Sequence, residues 1–172
     1  MKQKDLERIA RRALKETGLY GVPVMIIQLA TAYGFDVHEV AEDGLPEGAS
    51  YIIGQSEGKR VIAVMQNSDT KVERFSIATA LSQYLLYARK EEDDFDWSLS
   101  DKVCDMDCIT LASCILMPPK ELRRYVRSWE DEGIYTSSRL SAFALRAASR
   151  FLVPAKWVNL RVYQLGLQNR ID

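Results

Sequence analysis

The stretch Arg74–Tyr87, RFSIATALSQYLLY, decides how the rest of the 172-residue chain is arranged. Phe75, Ile77, Ala78, Leu81, Leu85 and Leu86 are apolar, while Ser76, Thr79, Gln83 and Tyr87 recur at spacings of three and four. At about 100° per residue the second set falls on one side of a helix. The reading is a mostly apolar core helix whose single uncharged polar stripe finds hydrogen-bond partners.

The elements before this helix follow from periodicity. Residues 3–16 read as a helix with Leu6, Ile9, Ala10, Ala13 and Leu14 on one stripe and Gly18 as its stop. A Gly-Val-Pro turn at 21–23 leads into a second helix, about 23–33, with Gly34 placed at its C-terminus. Phe35–Val40 alternates as a strand. His38, the one histidine, shares its wetter face with Asp36 and reads as solvent-facing or hydrogen-bonded, with a ligand role as the alternative. Ser50–Gly54 and Arg60–Met65 read as a hairpin around Gln55–Gly58, and Asn67–Glu73 as a polar connection.

Beyond the helix, Arg89–Asp96 is a mostly acidic run that reads as a solvated loop, with a site for a cation or a basic partner as the alternative. Asp101–Pro118 carries Cys104, Cys108 and Cys114. They read as buried small hydrophobes, and Cys104 and Cys108 also share a helical face, with a metal site built from them and Asp105 or Asp107 as the alternative. Helices are expected at Lys120–Glu132, Ser137–Phe151 and Ala155–Leu165. The last two flank a Leu-Val-Pro turn in a helix-turn-helix-like arrangement. Arg150, Lys156, Asn159 and Arg161 are the candidate nucleic-acid contacts of this mildly basic end.

Composition bounds the class. Hydrophobic residues make up 47% and charged residues 27%, with a formal net charge of −1, so no overall pull toward nucleic acid or membrane is expected. No apolar run approaches the ~20 residues that span a bilayer. The opening MKQKDLERIARRALKE lacks the apolar core of a secretory signal, and three cysteines suit a reduced, cytoplasmic protein.

Three motifs together resemble the ImmA/IrrE family of zinc metallopeptidases. Arg74, Phe75, Ala78, Leu81, Tyr84, Leu85 and Leu86 match the family's metal-binding helix, RFTLAHELGHYLLH, in register. Ala112, Leu116, Met117 and Pro118 match its LLMP segment. Arg150, Phe151, Val153, Val158, Arg161, Leu165, Gly166 and Leu167 are similar to its C-terminal element. The resemblance places the first zinc histidine at Thr79, the general-base glutamate at Ala80, the second histidine at Gln83, and the third ligand at Asp105 or Asp107. An HExxH helix works because two imidazoles four apart reach one zinc and the glutamate activates its water. Thr79, Ala80 and Gln83 supply neither an imidazole nor a carboxylate.

The resemblance therefore implies an α+β fold without the peptidase activity. The expected parts are a helix pair, a small three-stranded sheet packed on the central former metal-site helix, and a C-terminal helical part. Residues 1–118 would form the metallopeptidase-like domain with 119–172 packed on it, or the whole chain would be one domain. The functional expectation is a pseudo-peptidase without a cofactor. It binds a protein partner, which by the resemblance is a helix-turn-helix repressor, through a groove lined by Thr79, Ala80, Gln83, Tyr87, Asp105 and Asp107. The alternatives are a DNA-binding regulator using the C-terminal element and a metalloenzyme with relocated ligands.

Overall fold

The computed structural model describes residues 1–66, 69–88, 105–131 and 139–171. In order these give α1 (Gln3–Thr17), α2 (Ile26–Ala32), β1 (Phe35–Val40), β2 (Tyr51–Ser56), β3 (Lys59–Met65), α3 (Thr70–Gln83), α4 (Met106–Leu116), α5 (Pro119–Asp131), α6 (Arg139–Phe151) and α7 (Ala155–Gln164). The fold is α+β, a small mixed sheet and seven α-helices among the described residues.

Local chemistry sets the boundaries. Gly18 ends α1 at φ +69, and Gly34, at φ +81, turns the chain from α2 into β1. The second helix begins at Ile26 rather than near Pro23, since the Val24 carbonyl accepts the Arg74 guanidinium at 2.6 Å instead of opening the helix. The hairpin is tighter than Gln55–Gly58: Ser56 pairs with Lys59, and Glu57 and Gly58 both take positive φ, the two-residue turn whose twist suits antiparallel strands. The central helix begins at Thr70, inside the expected connection, with the Asp69 carboxylate accepting from the Lys71 amide at 2.9 Å as N-cap.

The strand order is β1-β3-β2. β1 runs parallel to β3 and β2 antiparallel to it. Register and alternation put Val37, Ile62 and Ile53 on one face, together with Tyr51, Arg60 and Glu39. That face meets α3: Tyr51 bonds to Gln83, and the Arg60 guanidinium lies 5.0 Å from the Tyr84 ring centre. His38 and Asp36 therefore point to the other face, and both are exposed.

α3 is covered all round. Every residue from Phe75 to Leu85 is buried, with the sheet on one side and α2 and α4 against the rest. The polar stripe finds its partners within this packing. Thr79 and Ser82 hydroxyls donate to the carbonyls four residues back, at 2.8 and 2.7 Å. The chain then widens into a π-helical turn, Tyr84–Ala88, a local irregularity that often marks functional positions.

The C-terminal helices share this core. Trp157 of α7 stacks on Phe75 at 4.8 Å with the planes 7° apart, and Arg74 Nε donates to the Leu152 carbonyl in the turn between α6 and α7. One apolar cluster takes residues from α1 through α7, and its burial is the main stabilising term. No helix among the described residues is long and apolar enough to cross a membrane.

Candidate functional site

The positions singled out on the central helix lie where α3, its π-turn, the N-terminus of α4 and β2 come together. Thr79 and Gln83 are one turn apart on α3 and buried, and Ala80 beside them is fully enclosed. The Thr79 hydroxyl is spent on the Phe75 carbonyl. The Gln83 side chain accepts at Oε1 from the Tyr51 hydroxyl of β2 at 3.1 Å. Thr79, Ala80 and Gln83 thus form a sealed floor rather than the open lining expected of a groove. Their small or uncharged side chains let the sheet close over the helix.

Tyr87 and the two aspartates sit above that floor, at the surface. The Tyr87 ring stands on the π-turn, 46% exposed, and its hydroxyl donates in a very short hydrogen bond to Asp105 Oδ2. Asp105 is the N-cap of α4, its other oxygen accepting from the Cys108 amide at 2.9 Å. Burial pushes the Asp105 carboxyl pKa up, but the Tyr87 hydroxyl and the Cys108 amide outweigh it, and the net shift is downward. The same hydrogen bond, then partial burial, raise the Tyr87 pKa, since a phenolate would face the carboxylate. Asp107, in the first turn of α4, accepts from the Met1 amine at 2.6 Å and raises that amine's pKa.

These donors do not fit zinc. A protein zinc site needs three or four nitrogen, sulfur or carboxylate ligands converging on one point. Here one motif position has no donor atom, one hydroxyl is bonded to its own helix and one amide is bonded to a tyrosine. Asp105 already caps a helix. No group of three His, Cys, Asp or Glu side chains among the described residues could hold a metal ion. A relocated site using His38 meets a topological obstacle, because His38 is on the sheet face turned away from α3. Cys108 and Cys114 are buried free thiols, and burial pushes Cys114 up to about 11, which suits a neutral core side chain. Cys104 and the acidic run Arg89–Asp96 lie outside the described residues.

What the arrangement offers is a small surface patch. Tyr87 and Met106 are exposed apolar groups, the first bonded to the Asp105 carboxylate and the second following it at the start of α4. Met106 and Tyr51 were not singled out from sequence. Tyr51 carried a signal, an aromatic residue in register with Ile53 on the inward face of a strand. Met106, between two aspartates, carried none.

The four candidate nucleic-acid contacts separate. Arg150, Lys156 and Asn159 are exposed, with the Arg150 guanidinium 5.1 Å from the Tyr125 ring centre and the Lys156 ammonium 4.9 Å from that of Trp157. Arg161 is fully buried and cannot reach a nucleic acid. Its NH1 pairs with Glu7 at 3.1 Å, and its Nε donates to the Met117 carbonyl at 3.3 Å.

A scan against protein-family models finds no match, and neither does a search of curated protein sequences. Among solved structures the fold is similar to that of a Mycobacterium tuberculosis transcriptional regulator, with a TM-score of 0.62 and 20% identity. The likeness covers 98% of this chain but 49% of that one, so the chain spans about half the regulator's length. At this identity the likeness is one of fold.

Proposed function

We propose that this chain is a regulatory protein on a metallopeptidase-like scaffold that acts by binding a protein partner and hydrolyses nothing. The observation behind this reading is the sealed floor. The three positions that the ImmA/IrrE resemblance gives to two zinc ligands and the general base hold Thr79, Ala80 and Gln83, all buried, with Gln83 bonded to Tyr51. The exposed Tyr87, bonded to Asp105, and the exposed Met106 next to Asp105 in sequence form the contact surface of this reading. Support for a regulatory role comes from the fold shared with a transcriptional regulator. A helix-turn-helix repressor is the partner class the resemblance implies, and that inference is one of analogy.

The test is site-specific photocrosslinking in the source organism. A photoreactive amino acid replacing Met106 gives one discrete protein adduct, and the same group replacing Leu145, an equally exposed apolar residue on α6, does not. Adding Tyr87→Ala to the Met106 probe weakens the adduct. No adduct at 106, or the same adduct from both positions, ends the binding proposal. Separately, hydrolysis of casein by the zinc-supplemented protein above a no-protein blank ends the non-hydrolytic part.

A further inference from the structure

The charge of the chain is unevenly placed. Residues 119–172 hold ten Lys and Arg against five Asp and Glu, in a chain whose formal net charge is −1. Such asymmetry points to a polyanion partner for the positive part. Part of the excess forms a one-sided face on α5, whose four cations share the helix with Glu121, Glu130 and Asp131. Leu122, Val126 and Trp129 are buried along one side of that helix, and Lys120, Arg123, Arg124 and Arg127 are exposed on the other. At about 100° per residue those four cations fall within one quarter-turn sector or little more. Among the described residues none of the four has a carboxylate partner. Glu130, near the far end of the helix, is taken by Arg170 through two hydrogen bonds of 2.9 and 2.7 Å. Arg150 of the neighbouring α6 extends the positive surface across the helix seam, held over Tyr125.

We infer that the outer face of α5 binds the phosphate backbone of double-stranded DNA. Lys120 to Arg127 spans about 10 Å of helix. Duplex DNA carries one charge per ~1.7 Å with both strands counted, about six over that length, so the two strands flanking a groove together supply phosphates for all four side chains. Three of the four are arginines, whose forked donors match phosphate oxygens. The face lacks what the competing partners need. A protein interface is anchored by buried aromatic or aliphatic side chains, and α5 exposes no large hydrophobic residue. An anionic membrane is held by cations with apolar residues beside them, and the same absence applies. The contact is to backbone and carries no sequence preference of its own. It uses different residues from the Tyr87–Met106 surface, so the two readings stand or fall separately.

The test is fluorescence anisotropy of a labelled 24-base-pair duplex of mixed sequence with the purified full chain. Binding is expected in the micromolar range at 50 mM KCl and about a hundredfold weaker at 200 mM, the dependence for four phosphate contacts. Arg123→Gln/Arg124→Gln/Arg127→Gln leaves about one contact, so the slope of log affinity against log salt falls from about −3.6 to about −1. The control Arg8→Gln/Arg11→Gln/Arg12→Gln, on exposed positions of α1, leaves the curve unchanged. Circular dichroism checks that the variants fold. Should the triple variant lose helicity, Arg124→Gln alone flattens the slope by about 0.9. No binding at 50 mM KCl overturns the proposal, as does binding that the α5 variants do not change. Association with phosphatidylserine vesicles or poly-glutamate but not with the duplex overturns it as well.

Discussion

Arg161 shows what a single residue can conceal. In sequence it is one more cation on a mixed helix. In the fold it is enclosed, its charge held by Glu7 from the other end of the chain and its Nε by the Met117 carbonyl. Removing one member of such a pair leaves a buried charge alone, which costs about 3 to 5 kcal/mol, whereas replacing both by apolar groups is often close to neutral. Glu7→Leu is therefore expected to lower the melting temperature by roughly 6 °C or more in a chain of this size. Glu7→Leu/Arg161→Met recovers most of that loss. A double variant no more stable than the single one would show that the pair is not what holds α1 to α7. Asp105 permits a test by pH. Its folded pKa is depressed, so its contribution is present above the ordinary carboxyl range and is lost as pH falls through the folded pKa. Asp105→Ala is expected to cost about 1 kcal/mol at neutral pH through the lost cap. In denaturant titrations the gap between wild type and variant closes below about pH 4. A gap that stays constant to pH 3 would mean the carboxylate's charge plays no part.

Among the elements, α3 was the most legible because its apolar positions repeat at helical spacing and its polar stripe is uncharged. Its start is less legible, since the polar run before Arg74 reads as a connection although Asp69 stands in an ordinary N-cap position. Burial on all sides was not legible, because a strip of Ser, Thr and Gln reads equally well as a wet face or as hydroxyls turned back onto their own helix. The sheet order was not legible either. Pairing β1 with β3 is a non-local choice that no local pattern encodes. Of the site, the six positions drawn from the resemblance divide into a floor and a rim, a distinction made by Tyr51 from a strand more than two dozen residues away. The relation between α3 and α4 gives the resemblance itself a test. Thr79 and Gln83 lie one turn apart on α3, and α4 packs against α3 with Asp105 and Asp107 at its N-terminus. Thr79→His/Gln83→His is therefore expected to take up about one zinc per chain in equilibrium dialysis, where the unaltered protein takes up none. Adding Asp105→Asn or Asp107→Asn separately identifies the carboxylate that completes the set. A well-folded double variant that takes up no zinc would remove the metallopeptidase comparison as a basis for reading this site.

At the scale of the whole molecule the question is whether the C-terminal helices are an appendage or part of one cooperative body. Contacts across the chain are spread over several chemistries. The Phe75–Trp157 stack is aromatic, Arg74 bonds to carbonyls in both the turn before α2 and the turn before α7, and the Glu7–Arg161 pair is ionic. Gln3 donates to the Gln164 carbonyl at 2.8 Å, and Gln164 reaches the Thr110 hydroxyl at 3.3 Å. All but the Arg74–Val24 bond join α7 or the turn before it to an element of the first two-thirds, and the apolar core is continuous across the same boundary. A part so connected is expected to melt together with the rest of the chain. Calorimetry of the full chain is accordingly expected to give one transition, with the calorimetric enthalpy equal to the van't Hoff enthalpy. Trp157→Ala should shift that transition as a whole, by several degrees for a loss of about 3 kcal/mol, without splitting it. Two transitions, or a low-temperature shoulder that moves alone in Trp157→Ala, would mean that the helices after residue 118 melt as a separate unit. In that case the positive face of α5 and the sealed floor under Tyr51 would belong to parts of the molecule that respond to their partners independently.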